Sequence, residues 1–357
     1  MGAYPHVFGL RKGDWVTLTS DLESHGDEAA VAPHDDGATE VAGRSPMQLA
    51  IARFRGDRLS MVSFYASAFI VTCAIAAPIL VAVGVLHPND FNQNLLANDG
   101  VNPEGRWGGV SWSHPLGVEP GTGRDLLSRI MLAMTWSLGI ALTGTIITVL
   151  IGVVLGIISG FSGGFVDATV GRFIDLTLSF PQTMMLLALS APAVLLLRTT
   201  IADLPGLGLL EDRDRASGLY VIIILAAFGW PPVARVVRGQ VLSLREREYI
   251  EAARLMGASR RRLYFKEVLP NVWAPILVFF TLLVPAYISA EAAFSFLGVG
   301  IKPPTPTLGN ILADSVSYTS ADPMFFFLPG IVLALTVVFF NLVGDGARDA
   351  LDPKTNR

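Results

Sequence analysis

Few residues in this sequence are set up for covalent chemistry. There is no G-x-x-x-x-G-K-[ST] phosphate loop, no H-E-x-x-H pair and no cysteine cluster, Cys73 being alone. Nucleotide hydrolysis, zinc-assisted hydrolysis and disulfide exchange therefore each lack their signature. Asp175 and Glu291 are carboxylates close to apolar runs, but they fall near opposite membrane faces and cannot act as an acid–base dyad. His87 and His114 alone are no ligand set, and no metal site is expected of them. The informative residues are a charged stretch, EYIEAARLMGASRRRLYFKEVLP at 248–270, held between two hydrophobic runs.

Ala252, Ala253 and Leu255 favour a helix over residues 248–256, and Gly257 is placed for a left-handed cap. On that helix Glu248 and Glu251 fall three apart on one face, and Ala252 falls four after Glu248. Small Ala252 and Ala253 permit close approach to a cleft. Gly257 lets the chain turn into a second, basic helix at 259–266, and Leu269-Pro270 marks the start of the next apolar run. A stiff, short helix at the tip of a loop is what a push from a separate soluble subunit would act on. The same residues would also suit an amphipathic linker, or a surface helix whose Arg260, Arg261 and Arg262 contact anionic headgroups, the role expected of that triplet.

The elements that position this loop are apolar. Hydrophobic residues make up 52% of the 357-residue chain and charged residues 16%, with a mean hydropathy of +0.52, above the apolar share of an ordinary soluble domain. Six uncharged runs, at 61–86, 130–166, 176–197, 216–234, 268–290 and 323–344, are long enough for a hydrocarbon layer of about 30 Å. The GFSGG at 160–164 should break the second, leaving one helix over 130–159. The first run has sixty residues before it and does not read as a signal peptide. With the N-terminus placed in the cytoplasm, nineteen Lys and Arg fall on the inner side and seven on the outer, as the positive-inside rule requires. An even number of spans then returns both termini to the cytoplasm. The arginines sit beside spans without aromatic interleaving, so nucleic acid is not an expected partner. Residues 1–58 are expected to form a largely flexible cytoplasmic segment.

Outside the spans, residues 87–129 hold four prolines, many glycines, Trp107 and Trp112, and should fold as a loop-rich cap. Arg124 and Asp125 are expected to pair there and clamp the cap to the start of the second span. Asp175, three residues after Arg172, is expected to form a local ion pair. Glu291 should close the fifth span at the outer face. After the last span, Arg348 can reach Asp345 or Asp352, a small ionic staple.

Four separated signatures carry a resemblance to a known family. They are HPLG and GRDLLSR at 114–117 and 123–129; the loop with Glu251, Ala252, Ala253, Gly257, Leu269 and Pro270; SFLGVGIKPPTP at 295–306; and NLVGDGARDALDP at 341–353. The chain resembles the inner-membrane permease subunits of ABC importers for dipeptides and oligopeptides, specifically the C-type member of the permease pair. That group also includes nickel importers.

The resemblance begins near Arg53 and runs to the C-terminus. It implies an all-α polytopic membrane protein with six transmembrane helices, a type I importer (MetI-like) permease core of five helices plus one N-terminal helix. Residues 61–86 would be the first span, 87–129 the extracytoplasmic cap, 130–345 the core with its cytoplasmic coupling loop at 235–267, and 346–357 a cytoplasmic tail. Glu251 would touch the nucleotide-binding domain of an ATPase, with Glu248, Ala252, Ala253 and Gly257 shaping the contact. Implied partners are a second, B-type permease, two ATPase subunits, an extracytoplasmic substrate-binding protein and the bilayer of the cell membrane. ATP and Mg would be held by the ATPases, and neither a cofactor nor a catalytic residue is expected in this chain. Peptide is the implied cargo, with nickel or haem as alternatives. A membrane-embedded enzyme would need paired acids, a His-rich motif or a Ser/Lys pair within the spans, and an ion-gradient-driven transporter calls for repeated halves and mid-membrane carboxylates, which the sequence does not show.

Overall fold

The computed structural model describes residues 46–105, 107–201, 203 and 212–351, and all of them belong to one compact unit. Among the described residues, six helices are long and apolar enough to cross a membrane: Arg58–Ala82, Leu126–Ser162, Gln182–Ile201, Arg213–Leu244, Trp273–Phe296 and Pro323–Leu351. No strand occurs among the described residues. In chain order the helices are α1 (Pro46–Gly56), α2 (Arg58–Ala82), α3 (Leu126–Ser162), α4 (Gly164–Ser179), α5 (Gln182–Leu196), α6 (Arg213–Leu244), α7 (Glu248–Leu255), α8 (Arg260–Arg262), α9 (Trp273–Phe296), α10 (Leu308–Ser315) and α11 (Pro323–Leu351).

Several boundaries differ from those the sequence suggested. The expected third span over 176–197 is two helices, because Pro181 lacks an N–H and holds Phe180 extended, at φ −91° and ψ 132°. α5 carries the span and α4 lies before it. The second span does end at the glycines, where Gly163 has φ +65°. The fourth runs on through Pro231 and Pro232 to Leu244, and the last continues to Leu351, so residues 346–351 of the expected tail are helix, and 352–357 lie outside the described residues. Within the expected flexible segment, residues from Pro46 onward form α1; the part before it lies outside the described residues.

α3 and α6 form the centre of the bundle through a seam of small residues. Gly152, Gly156 and Gly160 face Val233, Val237 and Val241 in turn, and a Cβ on these glycines would stand 2.6, 2.8 and 2.8 Å from the Cβ of the matching valine. Spacing of four on both helices sets ridge into groove with the backbones close together. α9 closes on the pair with Tyr287, whose hydroxyl lies 2.9 Å from Thr148 Oγ1 and donates to the Leu225 carbonyl at 2.9 Å. The short α10 starts at a capping box between Thr307 and Asn310, and packs so tightly on α9 that a Cβ at Gly309 would meet the Ala292 carbonyl at 2.5 Å.

Candidate functional site

Charge gathers at the two ends of this bundle. Residues 87–125, at the start of α3, form the cap end, and the loop between α6 and α9 forms the opposite, loop end. α7 has Glu248 and Glu251 in its first turn, where carboxylates complement the helix dipole. It stops in a Schellman turn: Gly257 N donates to the Arg254 carbonyl and Ala258 N to that of Ala253, with Gly257 at φ +81°. The next helix starts on Ser259, whose Oγ accepts from Arg262 N. The expected single basic helix over 259–266 is instead three short pieces: α8, a π turn at Leu263–Val268, and a 3-10 turn at Leu269–Asn271 ending beside Pro270.

Ile250 is buried in a cluster with Val237, Val241, Val268 and Val272, and Ala253 is buried as well. Of the alanine pair expected to permit close approach to a cleft, Ala252 is exposed and Ala253 is buried. The free face carries Glu248, Glu251 and Ala252 and ends in Leu255 and Met256, 84% and 78% exposed. Sequence reasoning missed this apolar tip. The signal was available, because a helix that buries 250 and 253 must point 255 elsewhere. Beneath α7, the Arg254 guanidinium lies 4.4 Å over the Phe161 ring, and Phe161 meets Tyr264 edge-on at 5.1 Å. Arg245 donates to the Gly160 carbonyl at 3.3 Å. The loop is thereby fastened to the end of α3. Residues 160–164 also spell G-x-S-x-G, but they join two helices and not the strand and helix of a hydrolase nucleophile turn.

At the cap end the expected Arg124–Asp125 pair does not form, and each residue binds elsewhere. Arg124 Nε donates to Glu119 Oε2 at 2.6 Å, while Asp125 caps α3 by accepting from Ser128 N at 2.8 Å and lies 3.0 Å from His114 Nδ1. Both therefore hold the cap, by separate routes. His87 pairs with Asp90 at 3.1 Å. Arg129, fully buried, stands 3.5 Å from Glu119 and donates to the Pro304 carbonyl at 3.2 Å, joining the cap to the segment before α10. Asp314 lies near this cluster; burial and the Glu119 charge raise its pKa, against the opposing pull of Arg129 and Arg124.

Other polar groups also depart from expectation. Glu291 is 1% exposed and accepts from Ser137 at 2.6 Å and Ser295 at 2.7 Å, so it ties α9 to α3 and marks no outer surface. Asp175 pairs with Arg235 at 3.3 Å in place of Arg172, because its neighbour across the groove is α6. Beside it Arg238 grips Asp167 with two bonds of 2.5 and 2.7 Å. That grip, foremost, holds the Asp167 pKa down at about 2 despite partial burial. Arg129 lies in the GRDLLSR signature, but nothing in the sequence singled out Glu119, Asp167 or Arg238, since their partners lie on other elements or across a turn. At the C-terminus, Asp345 and Arg348 are exposed and form no ion pair with each other, and Asp352 lies outside the described residues.

Residues 152–357 match the family described as the binding-protein-dependent transport system inner membrane component. The chain belongs to that family. Residues 45–102 of the permease further match the N-terminal transmembrane domain of oligopeptide transport permease C. It is 36% identical over 315 residues to the oligopeptide transport system permease protein OppC of Mycobacterium tuberculosis, covering 88% of this chain and 96% of that protein. It is 34% identical to the OppC of Bacillus subtilis, covering 86% and 90%. To the glutathione transport system permease protein GsiD of Salmonella typhimurium it is 36% identical, covering 87% and 91%. A solved structure of the MetNI methionine ABC transporter in an inward-facing conformation aligns with 64% of the permease and 98% of the solved chain, at 17% identity and a TM-score of 0.47. With its six apolar helices, the permease is a multi-pass membrane protein.

Proposed function

We propose that this permease is one of two membrane subunits of an ATP-driven importer for peptides, and that α7 is the helix on which an ATPase pushes. The observation that carries the reading is the face of α7. Glu248, Glu251, Ala252, Leu255 and Met256 are exposed at the loop end, on a helix whose other face is locked to the core by Ile250, Ala253 and Arg254. An exposed contact on a rigid mount suits the transfer of a rigid-body movement. The other partners are a second, B-type permease completing the path, an ATPase on each subunit holding ATP and Mg, and a binding protein that delivers cargo at the cap end. This chain then contributes no catalytic residue. Both termini lie in the cytoplasm with α7, and the cap lies outside.

Peptide cargo is supported by the names of the relatives, which specify oligopeptide and glutathione transport. Co-purification of the ATPase and ATP-dependent peptide uptake test the reading together. Glu251→Lys and Gly257→Leu are each expected to leave membrane insertion intact and to weaken both. Wild-type recovery of the ATPase and wild-type uptake in both variants would overturn the docking role of α7.

A further inference from the structure

A pocket of about 350 Å³ opens at the cap end between α5, the first turns of α6 and the loop after α9. Arg198, Arg213 and Lys302 line it, together with Ser217 and Tyr220, and among the described residues no carboxylate does. Arg213 and Lys302 are exposed and engage in no ion pair among the described residues. The nearby Asp212 is already committed, its carboxylate accepting from Asp214 N at 2.8 Å and Arg215 N at 3.1 Å as the cap of α6. Floor and wall are firm: Ser217 and Tyr220 are buried, and the Tyr220 hydroxyl donates to the Leu186 carbonyl at 2.7 Å. α5, by contrast, buries only Leu186 against the rest of this subunit. Its other faces are open to whatever completes the transport path.

We propose that this pocket is a carboxylate subsite on the path, taking the C-terminal carboxylate of a peptide as it leaves the binding protein. The inference rests on the peptide reading above. Arg213 and Lys302, exposed at the edge of an apolar bundle, attract an anion, and guanidinium and ammonium groups bond a carboxylate more strongly than a neutral amide. The peptide's ammonium end is repelled by the same charges. Cargo therefore enters carboxylate first, and a pocket open on one side releases it when the helices move.

The test is uptake by the whole importer, with its partner permease, ATPases and binding protein, reconstituted in phosphatidylcholine vesicles. A labelled tetrapeptide and its C-terminal amide are compared, each at a concentration that saturates the binding protein. The ratio of acid to amide uptake is read for the wild type, for Arg213→Gln with Lys302→Gln, and for Arg213→Lys with Lys302→Arg. All share one binding protein, so a change of ratio arises in the permease. The Gln pair is expected to lower the ratio about five- to tenfold, the scale of one or two charge-assisted bonds, while the charge-conserving pair retains it. Robust uptake with an unchanged ratio in the Gln pair overturns the subsite and leaves the peptide reading standing. A ratio that responds to the Gln pair only after phosphatidylglycerol is added would assign the cations to lipid phosphate and also overturn it. No ATP-driven uptake of any peptide by the wild type would remove the peptide reading itself, and the subsite with it.

Discussion

At the cap end Glu119, Arg124, Asp125 and Arg129 are buried and bonded to one another, to a histidine or to main chain, whereas at the loop end Glu248 and Glu251 are exposed and form no ion pair among the described residues. Both sets are charged residues beside apolar helices, and their energetics are opposite. A buried pair has already lost its water, so removing one partner leaves an uncompensated charge and destabilises strongly. An exposed charge contributes little to the fold. The cap end thus uses charge to fix its own geometry, and the loop end keeps it available.

This contrast makes a ranked set of predictions for the stability of the purified chain. Arg129→Ala should cost the most, about 3–5 kcal/mol, because it strands buried Glu119 and frees the segment before α10; thermal unfolding in detergent reads it, and a loss below about 1 kcal/mol would mean that water replaces the guanidinium. Asp125→Ala should cost about 1–2 kcal/mol through the α3 cap and its His114 contact, seen as faster hydrogen exchange in the first turn of α3.

A pH titration should separate two carboxylates outside the spans. Asp167 is protonated only near pH 2 in the folded chain, against 3.8 for an ordinary side chain. Its contribution is therefore complete above about pH 4 and lost as the pH falls toward 2, loosening α4 from α6. Asp314 has its pKa raised by burial and by Glu119, so acid relieves an unfavourable charge and favours the folded cap. Exchange that speeds at the α4–α6 contact while slowing at α10 supports the pair of signs; Asp167→Asn should abolish the first change and Asp314→Asn the second. Smallest of all, Leu255→Ser with Met256→Ser should change stability by no more than about 0.5 kcal/mol while sharply reducing recovery of the ATPase. A large loss of stability instead would make the tip part of the core.

Long-range order was legible where one chemical signal dominated. Six uncharged runs gave the spans because hydrocarbon admits little else, and Gly257 marked a turn that few other residues make without strain. Pairing was less legible. Arg124 and Asp125 are adjacent, yet one side chain turns to Glu119 and the other caps a helix. Asp175 lies one helical turn from Arg172 and bonds Arg235 of another helix. Such choices depend on where elements meet, which local spacing does not encode. The same limit hid Phe161, an ordinary residue by sequence that becomes the seat of Arg254 once α3 and the loop are brought together.

The glycine–valine seam between α3 and α6 has a mechanical meaning. With no side chain on the three glycines to yield, the two rods mesh like toothed racks, and sliding past one another would require every valine to leave its notch at once. A shove delivered at Phe161 would meet this seam first, where residues 152–160 of α3 and 233–241 of α6 would have to move as one piece.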